Sequence, residues 1–388
     1  MLHRRAAQGT QTPRRGEKMQ PIFRTIFGAM MLVLVAEVLL LVISIYVTNV
    51  GGRLNQNAKD MLAMQVRNRV GYMQDLMQNA QDLTDLSDYI DRATLSMVNT
   101  GRLDLDALNT DSEQSSALLA AIAPELVNTL RTRSVTGIFV VLNTEDLRLL
   151  DVGSGVPGIY LRDLDPDARP SEENADLLIE RGSAAVVKAL GITTDKSWQP
   201  VLRYYGLKGR GFFKEPFLRA YEDNARLSEE YYGRWTTSAY TISDDDRSAI
   251  AYSQPLILPD GTVYGVVGVE LLTSYVQEKM PYEELQNEKS GAYFLVSTTA
   301  DEDAEEFVVS KLVTSSQDSY ALEAPESMMR CERRADGCWL NLHKRDYYAV
   351  AMPIGLYSRN APFSEEHWLL IGAVNSQTPV SYTHLRAH

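Results

Sequence analysis

The segment SAIAYSQPLILPDGTVYGVVGVELL, residues 248–272, reads as two strands joined by a tight turn. Ile250–Ile257 is an apolar run suited to a buried, pleated surface, and Thr262–Leu271 is a second. Between them, Pro259-Asp260-Gly261 has turn chemistry: proline presets φ, and glycine accepts a positive φ. The two runs therefore pair as an antiparallel hairpin. Gly265 and Gly268 fall inside the second strand, where glycine weakens a sheet unless another backbone or a small ligand approaches closely. Glu270 ends that apolar strand, so its charge needs a partner.

Downstream, Gly291–Ser297, Asp346–Pro353 and His367–Val374 read as strands of a second, smaller module starting near residue 288. Upstream, Thr136–Leu142 is another short β-branched strand. Residues 151–170, rich in Gly, Pro and Asp, read as loop; 172–190 read as helix, and 193–235 as irregular, aromatic-rich chain. Leu118–Leu130 is the clearest helix of a mixed stretch from 101 to 136. Between 54 and 98, Leu62, Val66, Val70, Met73, Met77, Ala80, Leu83, Leu86 and Ile90 recur in steps of three or four with no proline. That spacing predicts one long helix ending near Asn99-Thr100-Gly101.

Closer to the N-terminus, IFGAMMLVLVAEVLLLVISIYV (Ile26–Val47) carries one charge, Glu37. As a helix it spans about 33 Å, enough to cross a hydrocarbon core. A cleaved signal sequence fits less well: the apolar run is too long, and Tyr46-Val47-Thr48-Asn49-Val50 is a poor cleavage site. Arg4, Arg5, Arg14, Arg15, Lys18 and Arg24 precede the helix. The positive-inside rule keeps them in the cytoplasm and sends everything after about residue 50 outside. If Met19 is the true start, Arg24 alone carries that bias. Glu37 is costly in lipid unless paired; it reads equally as a contact with a second copy or as a lone protonated carboxyl.

The formal net charge is -13, and because the first residues are basic the remainder is more acidic still. An acidic body excludes nucleic acid as a partner, since phosphate binding requires clustered Lys and Arg. Cys331 and Cys338 have neither the spacing nor the second pair of a zinc site, and they are not a C-x-x-C redox motif. They read either as two core thiols or, outside the cytoplasm, as a small disulfide loop.

The stretch YSQPLILPDGTVYGVVGVEL resembles the hairpin of double Cache domains, the tandem PAS-like sensors of bacterial chemoreceptors, sensor kinases and diguanylate cyclases. The shared form is a Pro-containing strand, an Asp-Gly turn and a Gly-Val-Val-Gly-Val-Glu-Leu close. The resemblance covers roughly residues 50–375. It implies an α+β fold: an N-terminal transmembrane helix, a long stalk helix and two tandem PAS-like antiparallel-sheet modules. On that plan residues 1–21 are a cytoplasmic tail and 22–50 the transmembrane helix. Residues 51–287 are the long helix with a membrane-distal ligand-binding module, and 288–375 are a membrane-proximal module. The resemblance further implies an extracytoplasmic small-molecule sensor in the bacterial inner membrane, working as a homodimer and using no cofactor. Its output domain, a diguanylate cyclase or a histidine kinase, would lie beyond this chain.

Amino-acid-binding members of that family use an Arg-x-Trp-Tyr cluster and an Asp at the end of the hairpin. Here Glu270 stands at the hairpin position, and the nearest pieces of the cluster are Trp198 and the Arg234-Trp235 pair. Small polar ligands need an apolar pocket with a few fixed polar groups, often walled by aromatic rings. Tyr160, Arg162, Trp198, Tyr232, Arg234, Trp235, Tyr240, Tyr252 and Glu270 are such groups within the distal module. For each ring the competing reading is core packing, and for Arg162 a surface pair with Asp163 or Asp165.

Catalytic motifs are absent from the sequence: no phosphate-binding loop, dinucleotide fingerprint or nucleophile elbow occurs. His384 and His388 have a metal-site spacing but fall in the final segment, and Asp244-Asp245-Asp246 reads as a solvated acidic turn rather than a calcium site. Residues 376–388 continue no pattern; the end, PVSYTHLRAH, resembles translated sequencing-adapter read-through, so a native chain would continue into a second membrane helix and an output domain. A membrane-anchored extracytoplasmic enzyme or adhesion protein is the rival reading.

Overall fold

In the computed structural model, residues 22–47, 50–168, 176–208, 211–242, 245–285, 291–300, 304–324, 327–334 and 337–375 are described. The expected cytoplasmic tail, Asp244 and the 376–388 segment, with His384 and His388, lie outside them. By compactness the chain divides into residues 1–60 and 61–388.

Within the first unit, α1 (Ile22–Val47) contains a 19-residue span, Ile26–Ser44, that is long and apolar enough to cross a membrane, and none of it is buried. Helix α2 (Val50–Gln81) is followed by α3 (Thr84–Asn99). The long helix expected over 54–98 is therefore broken at Asp82-Leu83. The apolar stripe survives the break: Leu62, Val66, Met73, Met77, Ala80, Leu83, Leu86 and Ile90 are all buried. The C-terminus of α3 falls where the cap predicted it, and Gly101 takes φ +67°.

Helix α4 (Ser112–Thr132) is capped by Asp111, whose side chain accepts the N–H groups of Glu113 and Gln114. The chain then enters a mostly antiparallel sheet through β1 (Gly137–Leu142) and β3 (Gly158–Asp163), with β2 (Gly155–Val156) between them in sequence but outside that sheet. Next come β4 (Leu177–Arg181), α5 (Ala184–Leu190), β5 (Thr194–Gln199), β6 (Leu202–Arg203), α6 (Lys214–Glu222) and β7 (Arg234–Trp235). The hairpin closes the module as β8 (Ala249–Ile257) and β9 (Val263–Leu272), with Gly261 at φ +88° in its turn. Two expectations are corrected. Part of the stretch read as loop is the buried strand β3, and the helix read over 172–190 begins only after strand β4. Gly and Asp at or beside the ends of both strands gave short apolar runs the look of loop and helix-flanking sequence.

Seven of these nine strands lie in the order β5-β4-β3-β1-β9-β8-β7, so β1 separates β3 from β9, while β2 and β6 pair with each other. Helices α3 and α4 pack against β8, β1 and β3, and α6 packs on the hairpin. Both hairpin strands are buried nearly throughout, as strands covered on both faces must be.

After α7 (Thr273–Glu278), a second module is formed by β10 (Gly291–Thr298), β11 (Glu306–Ser316), α8 (Ser319–Leu322), β12 (Ser327–Arg334), β13 (Gly337–Leu342), β14 (Arg345–Ile354) and β15 (His367–Asn375). Its six strands close into a barrel with a small apolar interior built on Phe294, Val296, Val309, Leu340 and Ile371. Cys331 and Cys338 sit across the β12–β13 hairpin with Cα atoms 6.1 Å apart and their sulfurs in bonding contact. Gly372 of β15 accepts the stalk: a Cβ there would meet Val66 of α2. The fold is thus α+β, with a stalk of helices and two tandem PAS-like modules.

Candidate functional site

Register places Arg162, Gly137 and Glu270 in one row across β3, β1 and β9. Two residues along, Tyr160, Phe139 and Gly268 form the next row of the same face. Arg162 and Glu270 are two strands apart, yet Nε–Oε1 and Nη2–Oε2 are each 2.7 Å. They meet because nothing projects from Gly137 between them: a Cβ there would stand 2.8 Å from Glu270 Oε1. Tyr160 also donates its hydroxyl to Glu270, and the Tyr160 and Tyr240 hydroxyls are 2.7 Å apart. Above them lies an aromatic cover. Phe212 stacks on Tyr240 and meets Phe139 and Tyr160 edge-on.

Arg162 is the hub of a larger network. It pairs with Glu180 of β4 at 3.2 Å and with Asp245. Arg247 bridges Glu180 at 2.7 Å, Asp195 at 2.9 Å and Asp245 at 2.8 Å. Arg181 donates to the Glu180 and Ser197 carbonyls. Four carboxylates thus face three guanidinium groups, and Arg162, Glu180 and Glu270 are fully buried. Asp245 is drawn into this cluster, which corrects its reading as part of a solvated turn. So does Arg162, read alternatively as a surface pair.

The electrostatics follow from that arrangement. Burial opposes the Arg162 charge, but Glu270 more than offsets it, holding the guanidinium above its ordinary range. Burial and the Glu270 charge push the Tyr160 and Tyr240 hydroxyls well up, so both remain neutral donors. Burial also raises Glu180 despite Arg162 and Arg247. For Asp195 and Asp245, burial is outweighed by hydrogen bonds from Ser197 and Arg247, or from Arg247 and Arg162, and both are lowered.

Beside the cluster is a cavity of about 30 Å³ lined by Arg181, Tyr204, Phe212, Phe213, Lys214 and Tyr240 among others. That is room for about one water. The Tyr204 hydroxyl on its wall is buried and has no hydrogen-bond partner among the described residues. Lys214 donates to the Leu207 carbonyl at 2.8 Å.

Of the nine side chains singled out by sequence, Tyr160, Arg162, Tyr240 and Glu270 converge here. The other five lie apart. Trp198 donates Nε1 to the Gly182 carbonyl, and Tyr232 bonds Asp223 at 2.7 Å. Arg234, Trp235 and Tyr252 belong to a junction with the second module. Arg234 clasps Glu366 with Nη2–Oε1 at 2.6 Å, Trp235 donates Nε1 to the Gln81 side-chain oxygen at 3.1 Å, and its ring lies 6.0 Å from Trp368 and 5.7 Å from Tyr252. Sequence reasoning missed Gly137, Glu180, Asp195, Asp245 and Arg247; a buried Arg162 would have signalled that carboxylates had to be found for it.

No protein-family model matches the sequence, and no curated protein matches it. Solved structures do align with it. The periplasmic sensory domain of the Campylobacter jejuni chemoreceptor Tlp1 is 11% identical, with a TM-score of 0.44, over 83% of this chain and 96% of that one. The extracellular domain of the histidine kinase soHK1S-Z6 is 14% identical, with a TM-score of 0.42, over 85% and 97%. The ligand-binding domain of the Pseudomonas aeruginosa amino acid chemoreceptor PctB, in complex with L-Arg, is 17% identical, with a TM-score of 0.37, over 85% and 99%.

Proposed function

We infer that this chain is the extracytoplasmic sensing portion of a membrane-bound signalling receptor of the double Cache type, anchored by α1 and reading a small molecule in its distal module. One observation carries the reading: a fully buried, charged and aromatic cluster stands at the centre of the distal sheet, where packing alone would favour apolar residues. Buried ion pairs are poor stabilisers compared with well-packed apolar side chains. Clusters of perturbed titratable groups beside a cavity are the mark of sites. The Pro-containing strand, Asp-Gly turn and glycine-spaced strand of the hairpin support the family reading.

Glu270 is occupied by Arg162 and Tyr160, so ligand contact falls to the adjoining wall of Arg181, Tyr204, Lys214 and Tyr240. A ligand larger than water requires that wall to move outward, and this movement is the signal passed to the Arg234–Glu366 junction and the stalk. The output is a diguanylate cyclase or a histidine kinase. The test is a thermal-shift screen of the full chain in detergent against amino acids, organic acids, amines and purines. A hit whose shift disappears in Tyr240→Phe and Lys214→Met supports the reading. A reporter fused at residue 200 that behaves as cytosolic, or a hit indifferent to both substitutions, overturns it.

A further inference from the structure

We propose that Asp91 and Glu229 form a proton-operated latch holding stalk helix α3 against the distal hairpin. The two carboxylates stand where three elements meet. Asp91 of α3 accepts the Tyr264 hydroxyl at 2.5 Å. Tyr264 is the extra residue at the β8–β9 register shift between Leu256 and Ile257, and the bulge turns its ring toward α3. Glu229 opens the short turn Glu229–Tyr232 and accepts the N–H of Ile257, at the end of β8, at 2.7 Å. Gln254 of β8 spans the gap, with Nε2 3.5 Å from Glu229 and 3.3 Å from Ser87 of α3.

Both carboxylates line one open groove of about 280 Å³, together with Asp88 of α3 and Glu230 of the turn. No Lys or Arg lines it among the described residues. The groups facing Asp91 are Asp88 and Arg92 from its own helix, Tyr264 from β9 and Glu229 from the turn. Those facing Glu229 are Asp91 and Ser87 from α3 and Gln254 and the Ile257 N–H from β8. Burial, against the opposing Tyr264 hydrogen bond, pushes Asp91 up to about 6. Burial and then the Asp91 charge push Glu229 up to about 7.

The direction of the switch follows. A carboxyl raised in the folded state favours folding while it is protonated, and that contribution is lost as pH rises through its folded value. Below about pH 6 the groups are neutral and hold their neighbours without repulsion. Above about pH 7 two like charges share the groove, only partly offset by Arg92, and the contact between α3 and the hairpin loosens. A proton is thus a stimulus in its own right, independent of any ligand in the distal cavity.

The test is hydrogen exchange of the full chain in detergent between about pH 5.5 and 7.5, corrected for intrinsic rates. Peptides covering 84–99 and 254–266 should lose protection at least about tenfold across that window, the factor that one pKa unit represents. Asp91→Asn combined with Glu229→Gln should hold protection at its acid level throughout. Tyr264→Phe removes a donor that favours charged Asp91, and so should move the midpoint to higher pH. A flat wild-type profile, or a pH response that persists in the double variant, overturns the latch. Should the double variant fail to fold, an unmoved midpoint in Tyr264→Phe overturns it alone.

Discussion

Arg162 and Glu270 are bonded to one another across an intervening strand, through the gap left by Gly137. The pair therefore depends on a residue that has no side chain. Gly137→Ala should wedge the partners apart, and breaking a buried pair costs about 3 kcal/mol or more. The check is a thermal melt of the full chain, in which Gly137→Ala should melt well below wild type while Gly71→Ala, at an open helical position, does not.

The two partners are not equivalent. Removing Arg162 strands Glu270 and leaves Glu180 and Asp245 to Arg247 alone, whereas removing the Glu270 charge leaves Arg162 with two carboxylates. Arg162→Met should accordingly cost about 3–5 kcal/mol, the range for uncompensated buried charge. Glu270→Gln should cost about 1–3 kcal/mol, the range for a weakened buried hydrogen bond. Equal losses in denaturant titrations of the two variants would contradict the hub assignment.

Acid should unlock the same network from its rim. Asp195 and Asp245 are held below the usual carboxylate value of 3.8 despite burial. Their contribution is present above that value and lost as pH falls through the lower folded values. Melting temperatures measured from about pH 5 downward should fall more steeply in wild type than in Asp195→Asn/Asp245→Asn, which has already surrendered the charge. Parallel profiles would assign the acid sensitivity elsewhere.

Local patterns in the sequence carried the hairpin, the stalk stripe, β1 and three strands of the barrel, because periodicity and turn chemistry are properties of neighbouring residues. Glu270 was legible as a charge in need of a partner. That the partner is Arg162 was not, since a period of two gives the face of a strand but not which strand lies beside it. Strand order brings 162 and 270 together, and Gly137, unremarkable as a single glycine, permits contact. Arg234 and Trp235 were legible as a polar-aromatic pair, yet their partners Glu366 and Trp368 lie in the other module, beyond the reach of any local signal.

The ring of β10 to β15 has a consequence for what could be added to this module. Among the described residues each of its strands is paired with two neighbours over at least part of its length, so little backbone rim is left onto which a foreign strand could be added. Any association through this module would therefore fall chiefly to side chains, whose contacts can be released and re-formed, rather than to shared sheet, which tends to persist.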